Sequence, residues 1–224
     1  MKRRQFAVIG LGRFGSAMAM TLADLGQDVI GVDGAPEKVR QLADVIAQAI
    51  ELDATDERAL KAAGIQDVDV AVVSIGENIE SSLLVVMQLK ELGITSIVAK
   101  AVTPLHGRIL EKLGVSRVIF PEREMAIRVA HRLVMPNVLE FIELSHDFSI
   151  VEVAAPAQFV GQTLKQLELR PRYGLTLIAI KRAAGGTQTT TVSPSADETI
   201  LAGDVLALLG SNERLNELDR VLSR

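Results

Sequence analysis

The chain has 224 residues, a net charge of −4, a pI near 5.5, no cysteine and no tryptophan. These values leave no basic field for nucleic acid, no disulfide framework or thiolate metal site, and few rings on which bases could stack. No apolar run reaches the roughly 20 residues of a membrane span, and the positive mean hydropathy of +0.28 points instead to strands buried on both faces of a sheet. Four apolar positions after the basic start, Phe6-Ala-Val-Ile9, are too few for a signal peptide, so the expected location is the cytoplasm.

The first strand, Phe6 to Ile9, runs into Gly10-Leu-Gly12-Arg-Phe-Gly15. A helix follows, expected to bury Ala17, Met18, Thr21, Leu22 and Leu25, and Gly26 closes it. The second strand ends on Asp33, 18 residues after Gly15. Strand, G-x-G-x-x-G, helix, strand and acid form the fingerprint of a nucleotide-binding βαβ unit. Gly10 makes the tight turn, Gly12 lets a phosphate approach the backbone, and Gly15 lets the helix pack closely on the sheet. The helix N-terminus offers unpaired N–H groups to phosphates, and Asp33 is placed to accept bonds from ribose hydroxyls. Arg13 reads either as a charge aimed at terminal phosphates or as a solvated residue of the first helical turn. Phe14 completes the loop.

Further along, helices are expected over Glu37–Ala43, Asp56–Ala63, Glu77–Leu92, Pro104–Gly114 and Glu122–Met135. Strands are expected over Val45–Leu52, Val68–Ile75, Ile97–Val102 and Val118–Phe120. Six strands alternating with helices predict an α/β fold over residues 1–135, a Rossmann-like doubly wound parallel sheet in the order 3-2-1-4-5-6. Residues 136–146 are expected to form a connecting helix whose Val138, Leu139, Phe141, Ile142 and Leu144 pack on their own domain or on another subunit. From residue 147 to 224 the pattern predicts a small C-terminal α+β domain, with strands at Phe148–Val153, Tyr173–Lys181, Thr189–Val192 and Asp204–Leu209. Helices at Gly161–Leu167 and Asn212–Leu222, and a turn at 183–187, complete it.

Several of these segments together carry a resemblance. Phe6 to Gly15, Asp53-Ala-Thr-Asp56, Ser74-Ile-Gly-Glu-Asn-Ile79, Val98-Ala-Lys-Ala101, Phe120-Pro-Glu122, Arg172-Tyr-Gly174 and Gly203-Asp-Val-Leu206 are similar to the cytosolic RCK (regulator of K⁺ conductance) proteins of the TrkA and KtrA type. The resemblance covers nearly the whole chain. It implies a nucleotide-binding N-terminal domain and a small C-terminal domain, assembled through dimers into a homo-oligomeric ring, usually an octamer. Such a ring docks on a membrane K⁺ translocating subunit of the KtrB or TrkH kind and gates it from the cytoplasmic side. The ligands it implies are ATP and ADP, with NAD or NADH in related members, and cyclic di-AMP at some C-terminal domains. It also implies a divalent cation, Mg²⁺ or Ca²⁺, near the phosphates, held by Glu122.

In a doubly wound sheet, ligands bind in the crevice beyond the strand C-termini. Asp33, Asp53, Thr55, Ser74, Gly76, Asn78, Lys100 and Glu122 all fall at or just past expected strand ends. Asp33 disfavours a 2′-phosphate. Asp53 and Thr55 read either as adenine or ribose contacts or as the cap of the next helix. Ser74, Gly76 and Asn78 read as a ribose or phosphate wall or as a plain strand-to-helix turn. Lys100, inside an apolar strand, needs a counter-charge or an outlet. Glu122 also suits the first turn of a helix. His106, His131 and His146 lack ligand spacing, and Arg170, Arg172 and Tyr173 read as a small-ligand site or as a solvated loop. The favoured function is a nucleotide-controlled gating subunit, not an enzyme. The alternatives are an NAD(H)-dependent oxidoreductase, which would need an acid/base constellation not evident here, and a nucleotide sensor with a non-channel partner.

Overall fold

The computed structural model describes residues 3–135, 137–184 and 187–222. Residues 1–2, Pro136 and the expected Gly185-Gly186 turn lie outside the described residues. Two compact units divide the chain, Met1–Arg123 and Glu124–Arg224. The division falls earlier than the boundary expected after residue 135. No helix among the described residues is long and apolar enough to cross a membrane.

In the first unit, β1 (Gln5–Ile9), β2 (Asp28–Asp33), β3 (Gln48–Glu51), β4 (Val70–Val73), β5 (Ile97–Lys100) and β6 (Arg117–Ile119) form one parallel sheet. Its order is β3-β2-β1-β4-β5-β6, as the alternation of elements predicted. The helices between the strands are α1 (Arg13–Asp24), α2 (Pro36–Leu42), α3 (Glu57–Ala62), α4 (Ile79–Glu91) and α5 (Pro104–Lys112). Helix α6 (Pro121–Val134) follows β6. Successive strand residues point to opposite faces. Ala7, Ile9, Val32, Ala71, Val73 and Ile97 pack with Leu60, Val85, Val86, Leu89 and Leu110. Val8, Val29 and Val72 pack with Ala19, Val39, Leu42 and Ile46. Both faces are therefore covered, which explains the apolar composition.

The stripe that α1 buries differs from the expected one. Gly15 and Ala19 are buried and Met18, Leu22 and Ala23 pack beside them, while Ala17 and Thr21 are exposed. Leu25 is 66% exposed, because the helix ends at Asp24 and Leu25 has already left the helical face.

In the second unit, β7 (Val138–Glu143), β8 (Phe148–Ala154), β9 (Thr176–Ala184), β10 (Thr187–Val192) and β11 (Val205–Ser211) form an antiparallel sheet in the order β10-β9-β11-β8-β7. The connecting helix expected at 136–146 is corrected: Val138–Glu143 is an edge strand paired with β8. A register shift between Val138 and Glu140 turns both Val138 and Phe141 inward. Three-residue spacing of buried apolar positions imitates a helical period, and the bulge is what produces it in a strand. Tyr173, expected to open a strand, instead closes the short helix α8 (Leu169–Tyr173), which follows α7 (Leu164–Leu167). Five residues are too few to show a helical period. Helix α9 (Asn212–Leu222) closes the described chain, and Phe159, Leu175, Ile180, Ile200, Leu206 and Leu215 form the core of this unit.

Candidate functional site

The loop after β1 turns sharply because Gly10 holds a positive φ of 94°, which glycine adopts at no steric cost. A Cβ on Gly15 would overlap the Gly10 carbonyl oxygen and come within 2.5 Å of the Ser74 hydroxyl. Glycine is therefore required at position 15 by the protein's own packing, and Ser74 Oγ donates to Gly10 O at 2.7 Å to lock the same turn. Gly12 is different. Its φ of −68° is ordinary, and a Cβ there would meet nothing within 4 Å. Nothing in the fold demands glycine at 12, and the open space there leaves the N–H groups of the α1 N-terminus accessible to an anion.

A cavity of about 610 Å³ opens at this point, beyond the C-terminal ends of β1, β2, β3 and β4. Gly10, Gly12, Asp33, Asp53, Thr55, Ser74, Gly76 and Asn78 all line it. Asp33 is anchored by Leu11 N–H donating to Oδ2 at 2.7 Å and Ala35 N–H donating to Oδ1 at 2.9 Å, so its carboxylate faces the loop in a fixed pose. Asp53 Oδ1 accepts from both Thr55 Oγ1, at 2.7 Å, and Thr55 N–H, at 2.9 Å. Those two bonds hold its carboxyl below the usual carboxylate range. The cap of α3 is Asp56, not Asp53, which frees Asp53 from the capping role that the sequence left open. Asn78 caps α4 by accepting from Ser81 N–H at 3.0 Å.

Arg13, Phe14, Gly15, Lys100 and Glu122 are not among the lining residues. Gly15 acts by packing. Lys100 and Glu122 form an ion pair at 2.6 Å, in which the lysine side chain is only 12% exposed and the glutamate 69%. The counter-charge that the sequence demanded for Lys100 is thus Glu122. Lys100 Nζ also lies 3.4 Å from where a Cβ on Gly76 would stand, at the edge of the cavity. The Lys100 hydrogen bond, helped by the field of Arg13, holds the Glu122 carboxyl below its usual range. Among the described residues no group of three His, Asp or Glu side chains is placed to hold a metal ion. Glu122 fits a cation only as one carboxylate beside ligands supplied by a bound molecule and water.

Each histidine has its own surroundings. His106 is buried, with Nδ1 accepting from Val102 N–H at 3.4 Å, and burial lowers its pKa. The His131 ring stacks on Phe141 at 4.0 Å. His146, exposed, pairs with Asp147, which raises its pKa. Arg172 pairs with Glu168, and Tyr173 packs edge-on against Phe159. The sequence reading missed Lys38, Glu51 and Glu77, which also line the cavity. Lys38 Nζ stands 3.4 Å from Asp33, and its place in the first turn of α2, five residues past that acid, was the available signal. Four carboxylates and one lysine among the lining residues give that wall donors and acceptors suited to hydroxyls, while the space over Gly12 is open.

The comparisons with known proteins agree with this architecture. The TrkA-N domain family matches residues 6–121 and the TrkA-C domain family residues 148–223. The chain is 39% identical to the Ktr system potassium uptake protein C of Bacillus subtilis over 97% of each chain. It is 36% identical to the Ktr system potassium uptake protein A of the same organism, over 98% of this chain and 97% of the relative. The solved RCK domain of GsuK shares the fold across 100% of this chain and 48% of its own, with a TM-score of 0.64 at 18% identity. The GsuK channel bound to NAD does so over 99% of this chain and 40% of that one, with a TM-score of 0.62 at 18% identity.

Proposed function

This chain belongs to the Ktr and TrkA family of potassium uptake proteins, a TrkA-N domain followed by a TrkA-C domain, and from that premise we propose that it is a nucleotide-controlled regulatory subunit of a K⁺ uptake system. It acts from the cytoplasmic face on a separate membrane subunit that carries the ion path, and it is not an enzyme. The observation that carries the reading is that the likeness to Ktr proteins runs through both units, over 97% of each chain. The same observation favours the reading over an oxidoreductase and over a sensor with a non-channel partner.

The ligand we propose is an adenine nucleotide, ATP or ADP, with NAD or NADH as the related choice. Its phosphates would lie over Gly12 at the α1 N-terminus, and its ribose against Asp33, with Asp53, Thr55, Ser74, Gly76 and Asn78 completing the wall. ATP and ADP share every contact except those to the γ-phosphate, so only groups at the phosphate end can favour one state of the assembly over another. Arg13 and Lys100 are the cations available there. A Mg²⁺ or Ca²⁺ ion at Glu122 would neutralise phosphate charge, with the phosphates supplying its other ligands. For the second unit we propose cyclic di-AMP, supported by the TrkA-C match alone.

The assembly we propose is a homo-oligomer of dimers, an octameric ring, and the exposed Leu139, Ile142, Leu144 and Phe148 are the apolar surface it would cover. Light scattering should give a mass several times 24.1 kDa. Calorimetry with ATP, ADP, NAD and NADH tests the ligand. Saturable binding with a matching rise in melting temperature is the expected result, and protein indifferent to all four would refute the nucleotide reading.

A further inference from the structure

Helix α4 buries Val85, Val86 and Leu89 in the core, and between them sits Gln88, 8% exposed. Gln88 Nε2 donates to the Thr55 carbonyl oxygen at 2.6 Å, while Gln88 Oε1 is buried with no hydrogen-bond partner. A buried amide with one end unsatisfied costs stability, and an apolar side chain of similar size would avoid that cost. Thr55 is half-buried, and its carbonyl oxygen takes the Gln88 bond. The orphaned Oε1 offsets the gain from that one bond, so stability alone gives little reason for glutamine at this position.

Direction gives one. The Thr55 N–H and hydroxyl both grip Asp53 Oδ1, and Asp53 and Thr55 line the nucleotide cavity. The N-terminus of the same helix contributes Asn78 and Ser81 to the cavity wall near β4. We infer that Gln88 is a positioning residue for the ligand site: it clasps the Asp53–Thr55 turn to α4, so that the Asp53 carboxylate is presented at a fixed distance from the Asn78–Ser81 wall. Gln88 touches no ligand itself and acts through Thr55 on Asp53. The inference rests on the nucleotide reading above.

The test uses the full chain, its Gln88→Met and Gln88→Leu variants, and AMP, ADP and ATP as probes in calorimetry. Loss of one such hydrogen bond should weaken all three nucleotides by about fivefold. The loss is equal across them because the turn serves the shared adenosine part. Melting without nucleotide should be unchanged or higher. In an Asp53→Asn background Gln88→Met should add little, since both act on one carboxylate. Amide hydrogen exchange over residues 53–56 should quicken in Gln88→Met. Wild-type affinity in the variants, fully additive losses with Asp53→Asn, or unfolding of both Gln88 variants would each overturn the inference. If the wild-type protein binds none of the three nucleotides, the nucleotide reading falls instead. The clasp is then judged by exchange at 53–56 alone, and unchanged exchange overturns it.

Discussion

The two units handle their polar groups in opposite ways. In the second, the charged and polar side chains near the sheet largely satisfy one another. Asp204, 1% exposed, receives Arg182 through two bonds at 2.8 Å and Leu201 N–H at 2.9 Å. Arg182 also reaches Glu198 and the Thr199 carbonyl. Ser149 donates to Asn212, and Thr163 with Gln166 forms a closed capping box. The first unit instead brings the ends of four parallel strands and the start of α1 to one cavity, leaving an acid pair, Asp33 and Asp53, fixed in pose with acceptor capacity to spare. A parallel sheet aims its loops at one edge, whereas the polar side chains around this antiparallel sheet close their bonds with one another. The first unit thus leaves open acceptors at a cavity, whereas the second closes its polar bonds and exposes apolar side chains at Leu139, Ile142, Leu144 and Phe148.

The sharpest way to break that contrast is a pair of glycine substitutions in one loop. Gly15→Ala should cost on the order of 3 kcal/mol of stability, because the new methyl overlaps the Gly10 carbonyl. Gly12→Ala should leave unfolding of the free protein unchanged and lower nucleotide affinity at least about tenfold, since its methyl fills only the space a phosphate would take. Chemical denaturation and calorimetry read the two. If Gly12→Ala binds nucleotide as the wild type does, the opening over Gly12 is not a phosphate seat.

In the second unit, Asp204→Asn should destabilise by about 2 kcal/mol, a value below that for a wholly buried pair because Arg182 is partly exposed. Arg182, hydrogen-bonded to Asp204, holds its carboxyl below the usual range, with Leu201 N–H adding to the effect. Folded protein therefore binds fewer protons than unfolded protein as the pH falls below the ordinary aspartate value. The stabilisation is complete above that value and is lost as pH drops through the folded pKa. Denaturation curves between neutral pH and pH 3 should show this acid-side loss in the wild type and a smaller one in Asp204→Asn.

At the phosphate end the effects are smaller. Arg13→Ala should weaken ATP by about tenfold more than ADP if its charge meets the γ-phosphate. Equal losses would place Arg13 on the shared phosphates. Glu122→Gln should remove the effect of Mg²⁺ or Ca²⁺ on ATP binding while leaving affinity in chelator nearly unchanged. A divalent effect that survives the substitution would show that the cation lies elsewhere.

Much of the first unit was legible before any coordinates. Gly26 ending the first helix, Pro104 opening another, and apolar strands at regular spacing specified six parallel strands and their order, because each is a local signal read within one turn or one strand. That Gly10, Gly12, Asp33, Asp53, Thr55, Ser74, Gly76 and Asn78 line one cavity was legible too, since strand C-termini of a doubly wound sheet face one crevice whatever the side chains. The tertiary structure alone decided the rest. It made Val138–Glu143 a strand, because pairing with β8 and a bulge outweighed a spacing that looks helical in isolation. It gave Lys100 its partner in Glu122, 22 positions further on. It set Gln88 of α4 against Thr55, residues 33 positions apart. Such contacts join side chains that no local period relates, so they exist only once the sheet has brought its strand ends together.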